Sequence, residues 1–201
     1  MCRTRLLLKV VGLALCFAFT NGPVSGAYNP GDAVVLVTDA EMTLPDGAAA
    51  SVPNGAIVKV GRVEGERIWL TWNGKSGWLD QDNVISAESF MDDLNERIER
   101  EPKDATLWVD GGLVRAAMGQ LEKAIENYGW AIELDPNCAD AYVNRGVAWG
   151  EKREYDKAIA DCGKAIELRP AWSLPYNNRG NAHQAKGEYD KAIADFEKAI
   201  Q

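Results

Sequence analysis

The residues in this chain that could do covalent chemistry are few. It has one histidine, His183, and four cysteines, of which Cys138 and Cys162 lie in the C-terminal half. A Cys–His pair is the start of a nucleophilic site, because the imidazole can draw off the thiol proton. Cys162 and His183 are the candidates, but no third group to orient the base and no oxyanion donor accompanies them. The sequence has no glycine-rich phosphate loop, no metal-ligand spacing and no carboxylate pair set in a defined pocket. Asp92, Asp93 and Glu96 read as a solvated helix face. The expectation is a non-enzymatic protein with no metal and no cofactor. What remains is recognition chemistry. Trp69, Trp72 and Trp78 could stack on a peptide or sugar, or could fill a small core.

The elements that position these residues fall into three stretches. Arg3, Arg5 and Lys9 precede an apolar run from Val10 to Phe19, followed by Thr20-Asn21-Gly22-Pro23 and the small residues Ser25, Gly26 and Ala27. That order is a secretory signal peptide over residues 1–26, with cleavage near Gly26 or Ala27. The apolar run is far shorter than the ~20 residues that span a bilayer, so no membrane span is expected. Leu13-Ala14-Leu15-Cys16 resembles a lipoprotein box, but bulky Leu15 stands where that motif takes a small residue, so lipidation is disfavoured. The expected location is periplasmic or secreted. Net charge is −8, and −11 without the first 26 residues, which repels phosphate and argues against nucleic acid as a partner. Export would permit a Cys138–Cys162 disulfide, but two semi-buried thiols are the reading adopted.

Residues 28–86 read as an all-β small barrel. Ala33–Val37, Ile57–Val63, Arg67–Trp72 and Lys75–Asp80 are short apolar or β-branched runs, separated by Pro53-Asn54-Gly55, Glu64-Gly65 and Asn73-Gly74. Gly after Asn or Glu between such runs makes tight hairpins. Ile68, Leu70 and Trp72 recur at period two, as one buried strand face requires. Five strands are expected here. Alternation places Trp69 on the opposite face from Ile68 and Leu70, making it the candidate surface contact, with Trp72 and Trp78 assigned to the core. Pro53-Asn54-Gly55, Ile68-Trp69-Leu70 and Gly77-Trp78-Leu79 together resemble bacterial Src-homology-3-like domains. The resemblance implies a recognition module for peptides or cell-wall material.

The rest of the chain repeats itself. Ala-Ile-Glu-Leu-Asp-Pro ends at Pro136 and Ala-Ile-Glu-Leu-Arg-Pro at Pro170, 34 residues later. Asn144-Arg145-Gly146 matches Asn178-Arg179-Gly180 at the same offset, as do Pro102 with Pro136 and Gly112 with Gly146. With this period and content the segment is similar to the tetratricopeptide family, which implies an all-α superhelix of paired antiparallel helices. Units then cover 105–138, 139–172 and 173–201, the last incomplete, preceded by a half-repeat capping helix over 87–102 on Phe90, Leu94 and Ile98. The eighth place holds Gly112, Gly146 and Gly180, for close helix approach. His183 takes a core-facing place. The sequence breaks off inside a helix at Gln201, which is expected either of a truncated, monomeric fragment, the reading adopted, or of a helix whose exposed face meets a partner or a second copy.

The resemblance also implies a concave groove for extended peptides, lined by first helices. Its sixth place falls on Asp110, Asn144 and Asn178, and the fifth and ninth of the third unit add Asn177 and Asn181. Val109, Val143, Leu113 and Val147 supply an apolar floor. An asparagine ladder can pair with a peptide backbone whatever its sequence, since each amide both donates and accepts. Alternatively, Asn144 and Asn178 are helix-surface or capping residues. The expected function is an exported scaffold binding a protein or peptide. The competing one is attachment to peptidoglycan through the barrel.

Overall fold

The computed structural model describes residues 28–201, so the expected signal peptide lies outside the described residues. The chain divides into two compact units, whose boundary falls between Glu96 and Arg97.

The first unit is an antiparallel sheet of β1 (Ala33–Leu36), β2 (Ala40–Thr43), β3 (Ala49–Val52), β4 (Ile57–Glu64), β5 (Arg67–Trp72), β6 (Lys75–Asp80) and β7 (Val84–Ser86). The spatial order is β3-β2-β6-β5-β4-β1-β7. The β5–β6 hairpin turns on Asn73 and Gly74, both at positive φ (50° and 75°), as a two-residue turn matched to strand twist requires. Seven strands replace the expected five, and the barrel does not close. β3 and β7 are edges, and β2 meets β6 through the single pair Thr43↔Trp78. The sheet nevertheless curls, because Val52 of β3 and Val84 of β7 share one buried cluster with Met42, Val60, Ile68, Leu70 and Leu79. Gly77 allows β2 to cross β6 closely: a Cβ there would sit 2.4 Å from the Thr43 carbonyl oxygen.

One core assignment is corrected. Trp72 packs against the buried cluster as expected, but Trp78 does not. Gly77 and Leu79 are the buried residues of β6, so alternation turns Trp78 outward. There it faces its cross-strand partner Trp69, ring centroids 5.2 Å apart and edge to face.

Helix α1 (Ala87–Arg100) begins in the first unit and ends in the second. It is followed by α2 (Ala105–Ala117), α3 (Leu121–Leu134), α4 (Ala139–Glu151), α5 (Tyr155–Leu168), α6 (Ser173–Ala185) and α7 (Tyr189–Ala199). Pro136 and Pro170 follow α3 and α5, where a missing N–H stops the helix. The Asp104 carboxylate caps α2 by accepting from the Thr106 N–H at 2.9 Å. Each pair α2–α3, α4–α5 and α6–α7 turns on a residue at positive φ: Gly119 (77°), Arg153 (63°) and Gly187 (78°). Arg153 occupies a conformation that costs a residue with a Cβ about 1 kcal/mol. Arg153→Gly should therefore raise the stability of the helical unit by about that amount, measured by urea denaturation followed by circular dichroism.

Candidate peptide groove

The register of the repeats begins with glycine. A Cβ on Gly112 would lie 2.3 Å from the Tyr128 ring, and one on Gly180 2.6 Å from the Phe196 ring. In the middle unit the smaller Cys162 sulfur takes the ring's place, 3.1 Å from a Cβ on Gly146. An arginine clamp repeats as well. Arg145 makes two parallel bonds to Asp161 (2.8 and 2.8 Å) and Arg179 two to Asp195 (2.8 and 2.7 Å). Such bidentate pairs fix geometry as well as charge. The same guanidiniums reach the preceding unit: Arg145 comes within 4.0 Å of a Cβ position on Gly129, and Arg179 within 3.8 Å of one on Gly163. In the first unit Gly111 replaces the arginine, and Arg115 instead donates to Asn127.

This frame sorts the expected groove residues. Asn177 and Asn181 are exposed, and Asn144 and Asn178 half-buried. None of the four side-chain amides hydrogen-bonds to another described residue, and no helix among those described is capped by one. Their donors and acceptors are free for a ligand. Val147 is 40% exposed and Leu113 half-buried. Val109 and Val143 are corrected: both are 1% exposed and sit in the packed interior, because their places point between helices. They cannot form a floor that a peptide touches.

Asp110 is also unlike its counterparts. It is 4% exposed, and its Oδ2 has no hydrogen-bond partner. Burial pushes its carboxyl up to about 8, with a further push from Asp104 and against the pull of Arg97. The sequence could not signal this, because burial of the first unit's sixth place depends on packing. Folding therefore takes up a proton that the unfolded chain has released between about pH 4 and pH 8. The stability associated with that proton is present at low pH and is lost as pH rises through this window. Asp110→Asn, which installs the residue of the other two units, should gain on the parent protein as pH rises from 5 to 8. A difference on the order of 1–3 kcal/mol at pH 8 is expected in urea titrations.

The Cys–His pair does not assemble as a nucleophilic site. Cys162 is a free, buried thiol, pushed by burial up to about 12, so it stays protonated at neutral pH. It is not joined to Cys138, and the expectation of two thiols is corrected: Cys138 is disulfide-bonded, and both cysteines are fully rather than half buried. The His183 ring lies with Nδ1 2.6 Å from Glu188 and Nε2 4.0 Å from Asp195. Bonds from His183, Lys191 and Lys186 hold the Glu188 carboxyl down at about 2. A feature the sequence reading missed lies on the sheet. Arg62 and Arg67 stack over Trp69 and Trp78 at 5.2 and 5.5 Å. Strict alternation through Leu79 would have revealed it.

A family model for the TPR repeat matches residues 112–152, and one for the tetratricopeptide repeat matches 139–171 and 174–201. The helical half of the chain is an array of tetratricopeptide repeats. Among solved structures, one of MamA is 27% identical at TM-score 0.55, covering 57% of this chain and 67% of its own. A second MamA structure has the same identity and TM-score, with 63% of its own length covered. This chain thus spans about two thirds of those it resembles. The second TPR of Spaghetti (RPAP3), solved bound to the HSP90 peptide SRMEEVD, is 31% identical, covering 51% of this chain and 95% of its own. Its TM-score is 0.48. No curated protein matches the chain.

Proposed function

We propose that the repeats form a protein-interaction scaffold that holds an extended peptide by its backbone, through Asn144, Asn177, Asn178 and Asn181 beside Val147 and Leu113. The observation that carries this reading is the set of four accessible amides with no hydrogen-bond partner among the described residues. An unpaired amide on a rigid helix costs little to leave in water and gains a donor–acceptor pair when a peptide backbone arrives. Asp110 stands apart from this ladder because it is buried. The n-, h- and c-region order at the N-terminus supports an exported scaffold, working in the periplasm or outside the cell.

A second reading is favoured by the outward Trp69–Trp78 pair with its two arginines. On it the β unit is a Src-homology-3-like module that attaches the chain to peptidoglycan, and the repeats extend from that anchor. Sedimentation of the full chain with purified cell wall separates the two. Attachment predicts co-sedimentation that falls when Trp69 and Trp78 are both changed to Ala; a scaffold alone predicts a chain that stays in the supernatant.

For the groove, random dodecapeptides displayed on phage and selected on the full chain provide defined probes. The Asn144→Ala, Asn178→Ala, Asn181→Ala triple variant should bind the selected peptides at least about tenfold more weakly, since several ~0.5–1.5 kcal/mol bonds are lost together. Its helical circular dichroism should be unchanged. Equal affinity of parent and variant would remove the ladder from the mechanism.

A further inference from the structure

One face of α3 departs from the faces of α5 and α7 that repeat it. Lys164 of α5 donates to Glu167 at 2.9 Å, and Lys198 of α7 donates to Gln201 at 2.9 Å. The same place in α3 holds Trp130, so Glu133 keeps the acid of the Lys164–Glu167 pair without its lysine. Glu126 is a second departure, standing where α5 and α7 carry Ala160 and Ala194. Glu126, Trp130, Glu133 and Leu134 fall at i, i+4, i+7 and i+8 and so share one helix face. Trp130 is 52% exposed and Leu134 39%. Trp108 backs the Trp130 ring, with centroids 5.9 Å apart. Its own Nε1–H donates to the Pro102 carbonyl at 3.1 Å.

The chain itself shows what such a ring accepts. Three times an arginine lies over an aromatic ring while its N–H edge meets a carboxylate. Arg145 stacks on Tyr142 at 5.8 Å and binds Asp161. Arg179 stacks on Tyr176 at 5.7 Å and binds Asp195. Arg169 stacks on Trp172 at 4.0 Å and binds Asp140 at 3.3 Å. A guanidinium suits both contacts, since its flat face meets the π cloud and its N–H groups point outward in the plane. At Trp130 the ring and the carboxylates are present without the arginine. Among the described residues no cation lies over Trp130 or Trp108, and neither the Glu126 nor the Glu133 carboxylate has an ion-pair or hydrogen-bond partner. Lys123, on the same face, lies two turns before Trp130 and stacks on no ring.

We propose that this face of α3 is a docking site for an arginine-bearing segment of a partner protein. The guanidinium would lie on Trp130 with its N–H edge toward Glu126 and Glu133, and an apolar neighbour of the arginine would cover Leu134. The face belongs to a second helix, whereas the groove amides lie on the first helices α4 and α6. Its occupant is therefore independent of the asparagine ladder.

The probe is the peptide acetyl-Gly-Ser-Arg-Leu-Ser-Gly-amide, titrated into the full chain labelled with 5-fluorotryptophan and followed by fluorine NMR. The Trp130 signal is identified by its loss in Trp130→Lys, which installs the residue of the other two units. A saturable shift of that signal is expected, and groove binding by the same peptide would not register in it. The Glu126→Gln, Glu133→Gln variant should bind at least about threefold more weakly, and a peptide with Gln in place of Arg should leave the signal where it is. Absence of a saturable Trp130 shift overturns the proposal, as does an affinity unmoved in the double Gln variant. A Gln peptide that binds equally well also overturns it, since the face would then be merely apolar. So would a Trp130 signal that moves with protein concentration alone, since the occupant would then be a second copy.

Discussion

The closest constraint in the helical unit is the space between a glycine on each first helix and the residue opposite it on the second. At Gly112 and Gly180 that space is already filled by the edge of an aromatic ring. A methyl group there would have to push two helix backbones apart, and packed interiors resist such displacement at a cost of ~1–3 kcal/mol. The crossing fixed by this contact decides where everything else on the pair points. It brings Arg145 onto Asp161 and Arg179 onto Asp195. It also turns Asn144 and Asn178 away from the interior and Val143 into it.

The arginine clamps carry that geometry from one unit to the next. Each guanidinium satisfies a largely buried carboxylate within its own unit and lies over a glycine of the one before. The unit-to-unit spacing therefore depends on a small residue at Gly129 and Gly163 as much as on the ion pair. The first repeat has no such arginine, and its interior polar groups are less well matched: Asn127 Nδ2 and Asp110 Oδ2 lack hydrogen-bond partners among the described residues, as does Arg97 Nη1 in the helix before it. Among the described residues, polar mismatch is thus concentrated in the first repeat and the helix that precedes it.

Much of this was legible in the sequence, and the reasons differ by element. The 34-residue offset fixed the helix pairs, because each unit repeats the same solution to the same packing problem. β5 and β6 follow from period-two alternation bounded by Gly-containing turns. β2 and β3 escaped because Ala-Glu-Met-Thr and Ala-Ala-Ser-Val have little β-branched character and are held by neighbours. Trp78 turns outward although its size suits a core, because Gly77 and Leu79 on either side already claim the inner face. Among the groove residues, places taken from family resemblance identified the free amides. They could not separate a helix position that lines a surface from one that lies just under it, as at Val109, nor foresee the burial of Asp110.

The sheet's tryptophan pair has an optical consequence. Two indoles held 5.2 Å apart at 72° have transition dipoles close enough to couple and fixed enough in angle for the coupling not to average away. The helical unit's nearest aromatic pair, Trp108 and Trp130, is wider and differently inclined, at 5.9 Å and 39°. The two halves of the chain therefore carry distinct chromophores of their own, and each can report its own melting in a spectrum of the whole protein.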